Sequence, residues 1–352
     1  MKSRIDLEMR AMLKSSEGDY GVKKIVPLLS EGIEDFVLRD GKRIRPVLFL
    51  LAYQGYSRID RLLNKNLVRA AVSLELMHDF LLIHDDVIDN SDTRRGKPSL
   101  HNWFNKRLGF AAKNAIGAGL SIVAGDVVFM MAFDALSGVK SKNEYKERAL
   151  KEFTSAAAMT CAGEFLDVVS GAKPLDAINK NDIYMIYTAK TARYTFSAPL
   201  FIGAVLAGAD KKQLTKLSET GVKIGQAFQI TDDLLDIFST EKEIGKPILS
   251  DLDEAKKTLL VWKAYNELPG KDKTAFLRVF QKKNKTVADK KNLLSTIKGT
   301  GAPVYCLKEA RGLLSASLTA VSSLKMRQAY KNELAGVVSG ISKKLDIVAA
   351  KI

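Results

Sequence analysis

Two acidic runs carry the clearest chemical signature in the chain. The first is His84-Asp85-Asp86-Val87-Ile88-Asp89 and the second is Asp232-Asp233-Leu234-Leu235-Asp236. In each, carboxylates recur at i and i+4, which sets the first and last on one helix face. Like charges repel there, and toward a helix C-terminus the macrodipole disfavours them further. A bound divalent cation reverses both penalties. Oxygen-only ligands suit Mg²⁺, which keeps several waters and bridges to substrate phosphates. One such run alone also reads as a solvated acidic helix end. Two of them, each closing an apolar stretch, are harder to assign to solvent. An antiparallel packing of the two helices would bring both runs to one cavity mouth, around one polyanion.

A Mg²⁺-bound polyanion also needs cations from the protein, and these flank the acidic runs. Gly41-Lys42-Arg43-Ile44-Arg45-Pro46 precedes the first run and Arg94-Arg95-Gly96-Lys97-Pro98 follows it. Lys190-Thr191 and Gly245-Lys246-Pro247 flank the second. Arginine suits bidentate phosphate contact and lysine acts as a point charge. All three histidines, His78, His84 and His101, crowd the first run. No HExxH or His-x-x-x-His spacing occurs, so a zinc site is not indicated. His78 stands two turns before Asp85, about 10.5 Å by helix rise, where a second anion would fit.

Long apolar helices must hold these groups. Leu67–Ile88 and Leu214–Phe238 carry apolar residues at helical spacing, as do Tyr145–Val169, Ile183–Leu206, Leu307–Leu324 and Met326–Val348. Alternating strand patterns are absent, and prolines 46, 98, 174 and 247 sit at expected helix boundaries. No repeat or flexible linker interrupts the chain. The reading is all-α: one large helical-bundle domain over residues 1–352, with a central active-site cavity, a motif-bearing core at 24–260 and C-terminal helices at 261–352. The weakly charged stretches Asn114–Phe133 and Phe196–Ala209 read as buried helices; the second is short of a membrane span and the first is broken by Asp126.

Composition narrows the function classes. A 46% hydrophobic and 27% charged balance over 352 residues excludes disorder and fibre. Two cysteines, Cys161 and Cys306, cannot form a disulfide framework or a CxxC zinc pair. The charged N-terminus has no signal-like apolar core, and a cytoplasmic setting is expected. The net charge of +15 points to an anionic partner: nucleic acid, a membrane surface or a phosphorylated substrate. The excess within Lys256–Lys298 is spread between helical apolar positions, without aromatic interleaving, and reads as a solvated face.

At this point the residues resemble the trans-type isoprenyl diphosphate synthases, or polyprenyl synthetases. The matching blocks are GKRIRP from Gly41, ELMHDFLLIHDDVIDNSDTRRGKP from Glu75, YTAKTARY from Tyr187, GQAFQITDDLLDIF from Gly225 and GKPILSDLDEAKKTL from Gly245. The resemblance implies an all-α homodimer of the isoprenoid synthase type. It implies head-to-tail condensation of isopentenyl diphosphate with an allylic diphosphate (dimethylallyl, geranyl or farnesyl), with two to three Mg²⁺ ions per active site. Residue by residue, it makes Asp85, Asp89, Asp232 and Asp236 metal carboxylates, with Asp86, Asp233 and Asp236 supporting the cluster. Arg94, Lys190 and Lys246 would grip the allylic diphosphate. Lys42, Arg45, His78 and Arg95 would hold isopentenyl diphosphate. Thr191, Gln229 and Tyr194 match residues lining the reacting carbons, and Lys256 a second lysine of a closing loop. Nucleic acid and a transmembrane segment are not expected; transient contact with a membrane surface is compatible.

Leu249 and Ala255 depart from the pattern, each standing where the family commonly has glycine. The resemblance also makes Phe80, with Leu81 beside it and Met77 a turn further, the floor limiting product length. That combination resembles enzymes making geranylgeranyl diphosphate, then farnesyl diphosphate; a longer polyprenyl product is the further alternative. Rival readings are a terpene cyclase, a non-catalytic subunit and a basic binding protein. Retention of both complete acidic runs and of Lys42, Arg45 and His78 argues against the first two.

Overall fold

The helix ending in the first acidic run starts at Asn64, whose side chain accepts from the Leu67 amide at 2.8 Å. That cap satisfies one of the amides a helix N-terminus leaves open. The helix then runs Lys65–Ile88 and buries Leu67, Val68, Leu74, Leu76, Met77 and Ile83. The computed structural model describes residues 1–19, 21–57, 63–112, 114–240 and 248–352. The helices up to the second acidic run are α1 (Lys2–Asp19), α2 (Val22–Ile25), α3 (Pro27–Val37), α4 (Ile44–Tyr56), α5 (Lys65–Ile88), α6 (Leu100–Arg107), α7 (Ala115–Ser137), α8 (Asn143–Ala172), α9 (Lys180–Ile186), α10 (Ala198–Leu206) and α11 (Lys211–Phe238). Beyond α11, helices span Ser250–Asp253, Leu259–Glu267, Gly270–Phe280, Val287–Lys298, Ala302–Ser322 and Gln328–Ala349. Among the described residues the strands are β1 (Thr93–Arg94) and β2 (Lys97–Pro98), paired antiparallel. The all-α expectation holds.

Two compact units emerge. One comprises residues 1–154 and 199–210, the other residues 155–198 and 211–352. In the first, α5 packs along α7 and is backed by α1 and α4. In the second, α11 packs against Tyr187–Ser197 and the helices Ala302–Ser322 and Gln328–Ala349. Phe196–Leu206 is buried almost throughout, as expected. Helix α7 buries only one face, through Gly117, Ser121, Ala124, Val128 and Met131. Its other face exposes Ile116, Val123, Met130 and Phe133, so the expectation of a buried helix holds on one side. By length and composition α7 is long and apolar enough to cross a membrane.

The sequence pattern through Ile183–Leu206 predicts one α-helix. Instead, Tyr187–Ser197 forms a π-helix between α9 and α10. Its neighbour in the second unit explains how the wide turns are accommodated. A Cβ on Gly225 of α11 would come within 2.4 Å of the Ala192 Cα, so only glycine permits this approach. The lysine-rich face is also less solvated than its pattern suggests. Lys257 donates to the Ser170 and Gly171 carbonyls, and Lys290 pairs with Asp253.

Both departures from glycine have a structural reading. Leu249 has φ +61° and Ala255 φ +54°, each in the left-handed region. Ala255 ends the turn Ser250–Asp253: its amide bonds to the Leu252 carbonyl at 3.3 Å and the Lys256 amide to Asp251 at 2.8 Å. That is a Schellman ending, which favours glycine at the left-handed position. An L-residue there costs about 1–2 kcal/mol, against about 0.5–1 kcal/mol for glycine's extra chain entropy. Ala255→Gly is therefore expected to stabilise the protein by up to about 1 kcal/mol, read as a higher melting temperature. A lower melting temperature would mean that the alanine is not strained.

Candidate functional site

In the first unit, the acidic run closes α5. Asp85 lies on the last turn and Asp89 is the C-cap, its amide bonded to the Asp85 carbonyl at 2.8 Å. Both side chains are partly exposed. Asp86 is 0% exposed and turns inward instead. It accepts from Arg94 Nε at 2.8 Å, and Arg94 also reaches Asp85 at 3.3 Å. Burial pushes Asp86 up to about 6, and the Arg94 guanidinium opposes that rise. Arg94 is thus seated on the acidic run itself. Its own carbonyl is held by Arg39 Nη1 at 3.2 Å.

The hairpin that delivers Arg94 also delivers Arg95. Arg95 (φ +54°) and Gly96 (φ +73°) form its two-residue turn, and two positive φ values mark a type I′ turn. Arg95 points to α5, where Nη1 is 3.4 Å from Asp79 and Nη2 is 3.7 Å from Glu75. Arg43 joins them, donating to Glu75 at 3.0 Å and Asp6 at 2.9 Å. Arg45 is buried, His78 half-buried and Lys42 exposed. Burial and the charges of Arg45, Arg95, Arg94 and Arg43 hold His78 well below the ordinary imidazole range. It is a neutral imidazole at pH 7.

Below the acidic run, Phe80 is 8% exposed. Its ring meets His84 edge-on at 4.7 Å and tilts against Phe129 at 4.9 Å. Phe129 stacks on Phe153 at 6.1 Å. Phe80, named from sequence as a floor, is thus one member of an aromatic column. Met77 is fully buried and Leu81 half-buried.

In the second unit, the π-helix positions Lys190 and Thr191. Lys190 Nζ sits 2.8 Å from Glu164 and 2.7 Å from Asp167, both on α8. Thr191 Oγ1 donates to Gln229 Oε1 at 2.9 Å, and Gln229 Nε2 donates to Asp233 Oδ1 at 2.9 Å. The Tyr187 hydroxyl donates to the other Asp233 oxygen and accepts from the Leu259 amide at 2.8 Å. Burial raises Asp233 to about 7; the Tyr187 and Gln229 hydrogen bonds oppose that rise, and Asp232 and Asp236 add to it. Asp236 is buried too, accepting from Ser250 Oγ at 2.8 Å and the Asp251 amide at 3.2 Å. Of this run, Asp232 is the partly exposed carboxylate. Tyr194 is buried, and Lys256 pairs with Glu254 at 2.6 Å. Lys246 lies outside the described residues.

Sequence reasoning therefore named the acidic runs and Thr191–Gln229 but missed several partners. Glu75 and Asp79 repeat the i,i+4 spacing of the acidic run one step earlier on the same helix, a readable signal. Glu164 and Asp167 sit at i,i+3 on α8, also readable. Arg43 and Tyr187 fall inside the quoted blocks, but nothing local gives their partners.

Among the described residues no three Asp, Glu, His or Cys side chains form a ready cage. The carboxylates of each unit suit Mg²⁺ nonetheless: Asp85 and Asp89 in the first and Asp232 in the second are partly exposed, and Mg²⁺ is usually bound by one or two carboxylates plus water and phosphate.

The model of the polyprenyl synthetase family matches residues 26–297. The chain belongs to that family. Its members transfer prenyl groups, and this chain is a prenyl-transferring enzyme. It is 32% identical over 281 residues to a short chain isoprenyl diphosphate synthase of Methanocaldococcus jannaschii, covering 80% of this chain and 76% of the relative. It is 35% identical over 251 residues to a geranylgeranyl diphosphate synthase of Saccharolobus solfataricus, covering 70% and 69%. A crystal structure of geranylgeranyl pyrophosphate synthase from Corynebacterium glutamicum, complexed with isoprenyl diphosphate and magnesium, is similar at TM-score 0.87 and 27% identity, over 97% of both chains.

Tyr187→Phe tests the buried network. It strands an Asp233 oxygen and the Leu259 amide, at a cost of about 1–3 kcal/mol. Urea unfolding of the purified variant should show that loss; a change under about 0.5 kcal/mol would mean water replaces the hydroxyl.

Proposed function

We propose that this enzyme condenses isopentenyl diphosphate with allylic diphosphates and that its main product is geranylgeranyl diphosphate. The observation carrying this reading is that the acidic motif occurs twice, with Arg94 seated on the first run and Tyr187 and Gln229 holding the second. Asp85, Asp89 and Asp232 would hold Mg²⁺, with two to three ions per site and Asp236 supporting. Bound Mg²⁺ neutralises the diphosphate and eases its departure. Arg94 and Lys190 bind the allylic diphosphate in this reading, and Lys42, Arg45, His78 and Arg95 bind isopentenyl diphosphate. Thr191 and Gln229 turn dipoles toward the allylic carbons, where positive charge develops. Apolar helix faces exclude the water that would capture the cation. In this reading the final proton passes to the diphosphate that has left.

Residues 1–352 act as one synthase domain in this reading, since each unit is built from two separate stretches of chain. The exposed apolar stripe of α7 supports a homodimer, because a second copy would cover it.

Turnover should require Mg²⁺ or Mn²⁺ and stop with EDTA. Asp85→Ala and Asp232→Ala should each lower kcat at least a hundredfold, where each tenfold is about 1.4 kcal/mol of barrier. Labelled isopentenyl diphosphate supplied with each primer, followed by product chromatography, measures this. Near-normal turnover in either variant removes that run from the reaction.

The aromatic column predicts product length. Packed interiors relax only partly around a deleted ring, so Phe80→Ala should open the chain path and shift products beyond twenty carbons. The comparison is made per folded protein, since the truncation also costs about 3–5 kcal/mol. An unchanged product ladder would move the floor to Met77.

A further inference from the structure

Helix α5 buries a second carboxylate pair that the mechanism above does not use. Glu75 and Asp79 are one turn apart, 2% and 0% exposed. Two carboxylates buried together on one helix are costly unless matched by cations. Here the matching cations are Arg43 and Arg95, reached at 3.0 and 3.4 Å. Both arginines have left-handed backbones, φ +52° and +54°. Such conformations in non-glycine residues persist only where the surroundings hold them, and they cluster at ligand clamps.

The cluster is braced from outside and incompletely satisfied within. Arg43 donates to Asp6 and to the Arg39 carbonyl at 2.9 and 2.7 Å. By contrast, both Asp79 oxygens, Glu75 Oε2 and Arg95 Nη1 lack a hydrogen-bond partner among the described residues. Arg95 is thus anchored by charge, its Nη1 buried against Asp79 while 18% of the side chain stays exposed. Gly41 leaves the space above: a Cβ there would be 3.1 Å from Arg43 Nη1 and 3.5 Å from Arg95 Cζ. Burial first, and Glu75 second, push Asp79 up to about 8, against Arg95, Arg43 and Arg45. That rise in Asp79 favours its protonated form and leaves the arginine group more positive toward an anion.

We propose that Glu75 and Asp79 are positioning residues for isopentenyl diphosphate, holding Arg43 and Arg95 so that the exposed part of the Arg95 side chain stands with Arg45 and His78. Neither carboxylate touches the substrate. The proposal rests on the assignment of this arginine group to isopentenyl diphosphate in the preceding subsection.

Calorimetric titration of isopentenyl diphosphate alone, without primer, tests it in the full-length enzyme. Asp79→Asn keeps size and polarity and mimics the protonated acid, so its Kd should stay within threefold of the parent. Asp79→Leu keeps only size, and its Kd should rise tenfold or more. Glu75→Gln, a milder change that guards against misfolding of the leucine variant, should raise Kd about fivefold. Farnesyl diphosphate with Mg²⁺, titrated in parallel, should bind within twofold in every variant. A role in structure alone would lower the melting temperature and weaken both ligands alike. Equal weakening of both, or a Kd for Asp79→Leu (for Glu75→Gln, if the leucine variant does not fold) within twofold of the parent, overturns the proposal. A parent enzyme that binds isopentenyl diphosphate in this pattern yet does not condense it defeats the functional reading and leaves the positioning role standing. One that does not bind it defeats both.

Discussion

A carboxylate buried in an apolar helix must be met by a cation or by hydrogen-bond donors, and α5 imposes that demand on everything around it. From its middle onward it carries Glu75, Asp79, Asp85 and Asp86, with Asp89 at its cap. Three of these are essentially removed from solvent. The compensating charges cannot come from the same helix without breaking its apolar contacts. They come instead from the turn before α4, which supplies Arg43, and from the hairpin after α5, which supplies Arg94 and Arg95. The left-handed backbones of Arg43 and Arg95 follow from that geometry. Local strain of this kind is offset by charge pairing in a medium of low effective dielectric.

The second unit meets its buried acid differently. Asp233 is held by hydroxyl and amide donors, from Tyr187 and Gln229, rather than by an arginine. Neutral donors stabilise a carboxylate without adding a cation that would compete for substrate phosphate. Asp236 is likewise held by Ser250 and the Asp251 amide, which ties the end of α11 to the segment bearing Leu249 and Ala255. Asp232 is then left partly exposed. Each acidic run is therefore divided: Asp86, Asp233 and Asp236 are buried in the scaffold, and Asp85, Asp89 and Asp232 are its more exposed members.

How far the sequence discloses this depends on whether the signal is local. The helices around both runs are legible because apolar residues recur at their period, and Asn64 marks where α5 starts. The acidic runs and their flanking cations are legible because spacing along a helix is spacing in space. The π-helix is not legible, because it rests on Gly225 meeting Ala192 from a distant part of the chain. The same is true of the aromatic column, in which Phe129 and Phe153 join Phe80 from two other helices. Arg43 looks like any member of a basic block, and only burial against Glu75 separates it from the exposed Lys42. Leu249 and Ala255 are the reverse case. Their departure from glycine is visible in the sequence, and the left-handed angles give it an energetic meaning.

The π-helix also carries a consequence for how tolerant this segment is to length. Its i→i+5 pattern takes in residues that a regular helix between the same end points would not hold. Each helical residue turns the chain by about 100°. While the wide turns persist, deleting a single residue between Tyr187 and Lys190 swings what precedes the deletion around the axis, and Tyr187 leaves Asp233 although no side chain has been substituted. In most surface helices a one-residue indel near an end is absorbed by fraying; here the register itself is the functional quantity, and substitutions should be accepted far more readily than changes in length.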